Sequence, residues 1–112
     1  MVSKELTAAS SRPLVLSILR SGESYGYEIL QRIKILSQNQ VAWTDGMLYP
    51  VLHRLEKNGL IKARWSESDA GRRRKYYRLT AKGRKVLDED MVAWQTVNRM
   101  FDKIYGASLC IS

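Results

Sequence analysis

Cysteine, histidine and long apolar runs are scarce in this 112-residue chain. It has one cysteine, Cys110, and one histidine, His53. A single cysteine cannot form an internal disulfide, so a reducing cytoplasmic compartment is the simplest prediction. No apolar run approaches the roughly 18 residues that a membrane span needs, and we expect neither a transmembrane helix nor a secretory signal.

The same scarcity argues against an enzyme. One histidine and one cysteine supply neither a nucleophile and base pair nor a metal site of normal ligand number. Asp88, Glu89 and Asp90 are adjacent carboxylates, but consecutive residues of a helix point in different directions. The sequence therefore predicts no catalytic residue, no metal and no cofactor.

Positive charge is what the sequence has in excess, and it is concentrated in one segment. The chain carries a net charge of +8, and residues 53–85 alone contain twelve Lys or Arg against three Asp or Glu. A basic block in an otherwise near-neutral protein is typical of a surface that binds a polyanion, usually nucleic acid. A merely solvated basic face is the alternative, and the elements that carry the charges decide between them.

The apolar pattern and the turn residues predict three helices, a two-stranded hairpin and a long last helix. We expect the first helix to have Pro13 in its first turn, with residues 4–11 either extending it or forming a loose arm. Ser24 is the expected cap of the second helix. Its predicted core face contains Ile29, Leu30, Ile33 and Leu36.

The third helix is expected to start after an N-cap at Thr44 or Asp45 and to stop at Asn58-Gly59. Residues 60–65 and 75–80 have the composition of strands, and Thr80 is the expected cap of a helix that reaches Tyr105. This order predicts a winged helix-turn-helix, a mainly α fold with a small β-hairpin wing (α+β). We assign residues 1–80 to that domain, 81–106 to a dimerisation helix and 107–112 to a flexible tail.

The third helix contains Pro50 and, four residues earlier, Gly46. Leu48, Val51, Leu52 and Leu55 share the face predicted to be buried, which puts both residues on the outward face. Pro50 has no N–H to donate to the carbonyl of Gly46, and Gly46 has no side chain to keep a ligand away. We interpret this face as a contact surface, with a kink that serves packing as the alternative.

Several segments together resemble the PadR family of bacterial transcriptional regulators. They are "YGYEI", "GMLYPVLHRLEKNGLI" and "GRRRKYYRLTAKG", and the match runs from about Leu14 to Tyr105. The resemblance implies a DNA-binding dimer, usually a repressor, with one C-terminal dimerisation helix. Met47 stands where the family more often has a small hydroxyl residue, so a phosphate contact from that position is not expected.

The expected DNA surface combines the third helix with the tip of the wing. Side chains of the helix would reach base edges or flanking phosphates, and arginines of the wing would contact phosphates or the minor groove. Only one of Tyr76 and Tyr77 is available, because they alternate across a strand. The candidate DNA-binding residues are Thr44, Gly46, Tyr49, Pro50, His53, Arg54, Lys57, Arg72, Arg73, Arg74 and Lys75.

The last helix has an apolar arc wider than one core requires, which predicts contact with a second copy of the chain. A symmetric dimer would set two third helices about 34 to 36 Å apart, one turn of DNA. An RNA-binding or non-specific architectural winged-helix protein is the alternative. The candidate interface residues are Leu87, Met91, Trp94, Val97, Phe101, Ile104 and Tyr105.

Trp94 lies near the middle of that arc, with Asp90 one turn before it and Asn98 one turn after. In some PadR proteins an aromatic residue at this place lines a cavity that takes up flat, often cationic compounds. Trp94 could stack on such a planar aromatic effector while Asp90 balances its charge. The alternatives are that Trp94 only packs in the dimer and that Asp90 pairs with Arg99 or Lys103 of a second copy.

Overall fold

The computed structural model describes residues 2–67 and 70–106, which form four helices and a three-stranded antiparallel sheet. This α+β order confirms the predicted fold class, and the predicted tail at 107–112 lies outside the described residues. The helices are α1 (Lys4–Arg20), α2 (Gly26–Leu36), α3 (Asp45–Lys57) and α4 (Ala81–Tyr105). The strands are β1 (Ser24–Tyr25), β2 (Ile61–Glu67) and β3 (Arg73–Leu79), in the sheet order β1-β3-β2.

Helix α1 starts earlier than its proline indicates. Ser3 is its N-cap, and the Ser3 hydroxyl accepts a hydrogen bond of 3.1 Å from the backbone N–H of Leu6. The first-turn position predicted for Pro13 is therefore wrong, because Pro13 is buried in the interior of the helix. Of the two alternatives for residues 4–11, the structure has the extension of the helix.

Ser24 does not cap α2 as predicted. It forms the two-residue strand β1 with Tyr25, and the Cα partner of Ser24 is Tyr77 on β3. Tyr25 is the N-cap of α2 and provides no side-chain hydrogen bond to the first turn. The Ser24 hydroxyl instead donates to the carboxylate of Glu28 at 2.5 Å. Serine patterns alone do not distinguish a cap from a strand residue that has a partner far away in the sequence.

One apolar core joins all four helices to the sheet. Ile29 and Ile33 of α2 belong to it, but Leu36 is 66% exposed, so its predicted core position is wrong. Leu36 is the last residue of α2, where the helix has run beyond the core. The core residues are Val15, Leu16, Ile18, Leu19, Ile29, Ile33, Trp43, Leu48, Val51, Leu52, Leu55, Leu60, Ile61, Tyr77 and Leu87.

Helix α3 ends at the predicted Asn58-Gly59, in a Schellman arrangement. Gly59 has a φ of 76°, a left-handed conformation that costs glycine little. Its N–H donates to the carbonyl of Glu56, and the N–H of Leu60 donates to the carbonyl of Leu55, both at 3.0 Å. The chain therefore turns sharply from α3 into β2.

Thr80 caps α4 as predicted and also ties it to the end of α3. Its hydroxyl oxygen accepts from the N–H of Gly83 at 3.0 Å and lies 2.7 Å from the carbonyl oxygen of Gly59. The backbone N–H of Thr80 donates to the carbonyl of Leu60 at 3.1 Å. We call Gly59, Leu60, Thr80 and Gly83 the α3–α4 joint.

The first turns of α4 pack on the winged domain. Leu87 is only 1% exposed within one chain, so it is a core residue and not the dimer-interface residue that was predicted. Farther along, Asp90 accepts two hydrogen bonds from the guanidinium of Arg12 on α1, at 2.8 and 2.6 Å. The orientation of α4 is thus fixed against both α1 and the end of α3.

We expect Gly83→Ala to destabilise the fold and Gly46→Ala, its control, to leave it intact. A Cβ at Gly83 would overlap the carbonyl oxygen of Leu60 and lie 2.9 Å from its carbonyl carbon, whereas the nearest atom at Gly46 is the Thr44 hydroxyl at 3.7 Å. Overpacking of this kind costs about 1 to 3 kcal/mol. Gly46→Ala should instead gain about 0.5 kcal/mol from helix propensity. Urea unfolding measures both, and equal stability of the two variants would contradict the close packing at the joint.

Burial of Tyr77 should make the stability of the fold depend on pH in the alkaline range. Desolvation raises the pKa of the Tyr77 phenol above its ordinary value of 10.0. The tyrosine of the unfolded chain therefore loses its proton at a lower pH than Tyr77 of the folded protein. The contribution of Tyr77 to stability is complete below pH 10 and is lost as pH rises above it. Tyr77→Phe should weaken this alkaline loss in thermal unfolding at pH 9 to 11. Identical pH profiles of the two proteins would contradict the assignment.

Candidate nucleic-acid interface

The wing is held to the core through β3. Ala63 of β2 and Ser24 of β1 are both Cα partners of Tyr77, so the middle of β3 is paired on both sides. Tyr77 points into the core and Tyr76 does not, which confirms that only one of the two faces inward. The strand therefore presents Tyr76 and its basic neighbours from a fixed base.

Three arginines of the hairpin lie over aromatic rings. The guanidinium carbon of Arg73 is 4.8 Å from the ring centre of Trp65, that of Arg74 is 4.4 Å from Tyr25, and that of Arg64 is 5.2 Å from Tyr76. Cation–π contacts of this kind restrict the arginine side chains. Trp65 is largely exposed beside Arg73, although sequence reasoning did not select it.

Acidic side chains orient the basic ones at two points. Glu23 accepts two hydrogen bonds from the guanidinium of Arg64, and this contact lowers the pKa of the Glu23 carboxyl. Glu56 of α3 lies 3.6 Å from the ammonium of Lys75. Exposed pairs of this kind contribute little to stability, but the second one connects the wing to α3.

Helix α3 has the two faces that its sequence predicts. Leu48, Val51, Leu52 and Leu55 are buried. The predicted contact residues on the other side are all exposed, and Thr44, the N-cap, makes no side-chain capping bond. These exposed residues are Thr44, Gly46, Tyr49, Pro50, His53, Arg54 and Lys57.

Tyr49 faces the wing across a cleft of about 540 Å³. Its hydroxyl lies 2.7 Å from where a Cβ of Gly26 would be, so the absence of a side chain at Gly26 allows α2 and α3 to approach closely. The sequence "YGY" around Gly26 was the available signal for this contact. The cleft is lined by Tyr25, Gly26, Tyr27, Tyr49, Trp65, Arg72, Arg73, Arg74, Lys75 and Tyr77.

The other predicted residues of α3 do not share that cleft. Gly46, Pro50 and Arg54 line a second cavity, of about 620 Å³, between α3, the first half of α1 and residues 40–43. His53 and Lys57 line neither cavity. The candidate interface is therefore a convex helix face with the wing cleft on one side and a separate cavity on the other.

Most of the apolar arc of α4 is exposed in the single chain. The exposed members include Met91, Trp94, Val97, Met100, Phe101, Ile104 and Tyr105. Asn98 is exposed on the same helix. An apolar face of this length on one side of a helix is typical of a contact surface.

Asp90 is not the open carboxylate that was predicted beside Trp94. Its pairing with Arg12 leaves the Asp90 side chain 13% exposed and raises the pKa of Arg12. Trp94 lies next to this pair in a cleft of about 300 Å³ between α1, α3 and α4. Arg12 of the same chain therefore already pairs with Asp90. The sequence had predicted a ligand's positive charge, or Arg99 or Lys103 of a second copy, as the partner of Asp90.

Two classes of site are not found in residues 2–67 and 70–106. There is no group of three or more His, Cys, Asp or Glu side chains that could hold a metal ion. No helix in these ranges has the length and hydropathy required to cross a membrane.

Comparison with known proteins identifies the family. The model of the transcriptional regulator PadR-like family matches residues 15–89. The transcriptional regulator Rv3488 of Mycobacterium tuberculosis is 35% identical over 96 residues, which are 86% of each chain.

Solved structures have the same fold. A transcriptional regulator from Clostridium thermocellum superposes with a TM-score of 0.84 at 32% identity, over 94% of this chain and 99% of its own. A PadR-like transcriptional regulator from Bacillus cereus gives 0.80 at 28% identity, over 92% and 98%. With its basic wing, exposed α3 face and single long C-terminal helix, the chain belongs to the PadR-like family of transcriptional regulators and is not an enzyme.

Proposed function

We propose that the protein is a cytoplasmic homodimeric repressor that binds an inverted-repeat DNA operator. The observation that carries this proposal is the placement of the basic wing beside the exposed face of α3. Helix α3 has the dimensions to enter a major groove of DNA. The arginines stacked on Trp65 and Tyr25 would then reach the adjacent DNA backbone or minor groove.

The stacked arginines and the α3 side chains would have different tasks. Arg72, Arg73, Arg74 and Lys75 supply affinity through phosphates, which every DNA sequence has. His53, Arg54 and Lys57 project from the helix that would face base edges, so they contribute sequence discrimination. Tyr49 has a hydroxyl at the boundary of the two regions, suited to a phosphate oxygen.

The dimer part of the proposal depends on α4. Met91, Val97, Phe101 and Ile104 are exposed in one chain, and a second α4 packed against them would remove this surface from water. A twofold arrangement would place two α3 helices at the spacing of one DNA turn. The α3–α4 joint would keep that spacing constant.

We expect Arg73→Ala and His53→Ala to affect DNA binding differently. Arg73→Ala should weaken binding to operator and random DNA alike and reduce the slope of log K against log salt by about one unit. His53→Ala should lower the ratio of operator to random affinity instead. Titrations of fluorescent DNA between about 50 and 200 mM salt measure both quantities. Lys103→Ala, in the last turn of α4, is the control for loss of a charge.

The operator for these titrations is first located by footprinting on DNA upstream of the protein's own gene. A protected inverted repeat supports the repressor proposal. Even protection along the DNA, or tighter binding to RNA, would favour the architectural or RNA-binding alternative.

We expect Val97→Glu to prevent dimer formation, because it places a charge on the exposed apolar face of α4. Sedimentation at micromolar concentration should find a monomer with much weaker operator binding. Gln95→Glu introduces the same residue on the opposite side of α4 and should leave both properties unchanged. A monomeric wild-type protein would contradict the dimer.

Release by a planar aromatic effector completes the proposal. Because Arg12 already neutralises Asp90, a ring stacked on Trp94 near Asn98 needs no positive charge of its own. We expect neutral and cationic planar dyes of similar size to release the operator in a gel-shift assay, and Trp94→Leu to abolish the release. Release from the Trp94→Leu protein would place the effector elsewhere.

A further inference from the structure

The cavity of about 620 Å³ beside α3 has features that the proposed function does not use. It lies on the side of α3 away from the wing, and the first half of α1 and residues 40–43 form its other walls. Its volume is in the range of small-molecule sites, and Ala8, Val41, Ala42 and Met47 provide apolar lining. An apolar ligand body of small size would fit there.

One wall contains a buried donor without an acceptor. Trp43 is 7% exposed, and its indole N–H has no hydrogen-bond partner among the described residues. Buried donors are nearly always paired in folded proteins, and an unpaired one costs free energy. The cavity wall therefore contains a polar group as well as apolar ones.

The charges at the cavity are of one sign. Lys4 from α1 and Arg54 from α3 line it, and no Asp or Glu does so within the described residues. Two cations without a carboxylate favour an anionic group, and a carboxylate is an effective acceptor for both.

We propose that this cavity binds an apolar monocarboxylate, with its hydrocarbon part against Ala8 and Met47 and its carboxylate between Lys4 and Arg54. The cavity adjoins the cleft that contains Trp94 and shares Ala8, Ser11 and Arg54 with it, but Trp94 itself does not line the cavity. Since Gly46, Met47 and Pro50 belong to α3, a bound molecule would also contact the helix that reads DNA. This regulatory consequence rests on the proposed function, whereas the binding itself does not.

The tryptophans allow a direct test in the absence of DNA. The chain has three, Trp43, Trp65 and Trp94, so a Trp65→Phe/Trp94→Phe protein has Trp43 as its single fluorophore. Titration with decanoate should give a saturable change in Trp43 emission. Decan-1-ol, with the same chain length and no charge, should bind at least tenfold more weakly, because charged hydrogen bonds contribute about this much.

Charge variants in the same background identify the site. Lys4→Gln and Arg54→Gln should each raise the Kd of decanoate about tenfold. Lys34→Gln is the matched control, because Lys34 is exposed and does not line the cavity. Lys4→Gln should leave DNA affinity unchanged, since Lys4 is outside the proposed DNA surface.

The proposal is overturned by no saturable change with decanoate, by equal responses to decanoate and decan-1-ol, or by affinities that Lys4→Gln and Arg54→Gln do not alter. A response that disappears as protein concentration rises into the dimer range would also overturn it, by showing that a second copy covers the cavity. None of these results bears on operator footprinting, so the proposed function can fail or succeed independently.

Discussion

The contact between the end of α3 and the start of α4 is the constraint on which the rest of the structure depends. Thr80 bonds to the backbone on both sides of it, and Gly83 brings α4 so close to Leu60 that no side chain fits between them. Arg12 and Asp90 add a second fixed point between α1 and α4. Any partner held by α4 is therefore placed at a defined distance from α3.

The wing achieves rigidity by other means. It has few apolar residues to bury, and its charges would repel one another if they were free to move. Aromatic rings under Arg64, Arg73 and Arg74 restrict the side chains, and Glu23 also holds Arg64 by two hydrogen bonds. The result is a surface that is both strongly basic and ordered, which lowers the entropy lost when it binds a polyanion.

Local patterns predicted the elements whose determinants are local. The four leucine and valine positions of α3, its stop at Asn58-Gly59 and the Thr80 cap each depend on a few adjacent residues, and the structure has all of them.

Predictions failed where a distant residue decides. Ser24 is a strand residue because of Tyr77, and Asp90 is occupied because Arg12 lies beside it. The division of the apolar arc of α4, with Leu87 in the core and the remainder exposed, likewise depends on where the domain ends. Trp65 and the cleft of Tyr49 were not predicted. The "YGY" around Gly26 indicates a close approach, but its partner depends on the folded arrangement of α2, α3 and the wing.

The pairing of β1 with β3 also determines when the domain can be completed. Helices α1, α2 and α3 leave the ribosome before β3 does, so Ser24 and Tyr25 have no strand partners until Tyr76 and Tyr77 are synthesised. Until then Tyr25 has no arginine over its ring, because Arg74 has not been added, and the core lacks Tyr77 and Leu87. The nascent chain thus has α3 well before it has the finished wing beside it. The basic wing follows these helices in the chain, so much of the positive charge is added only when the sheet can close.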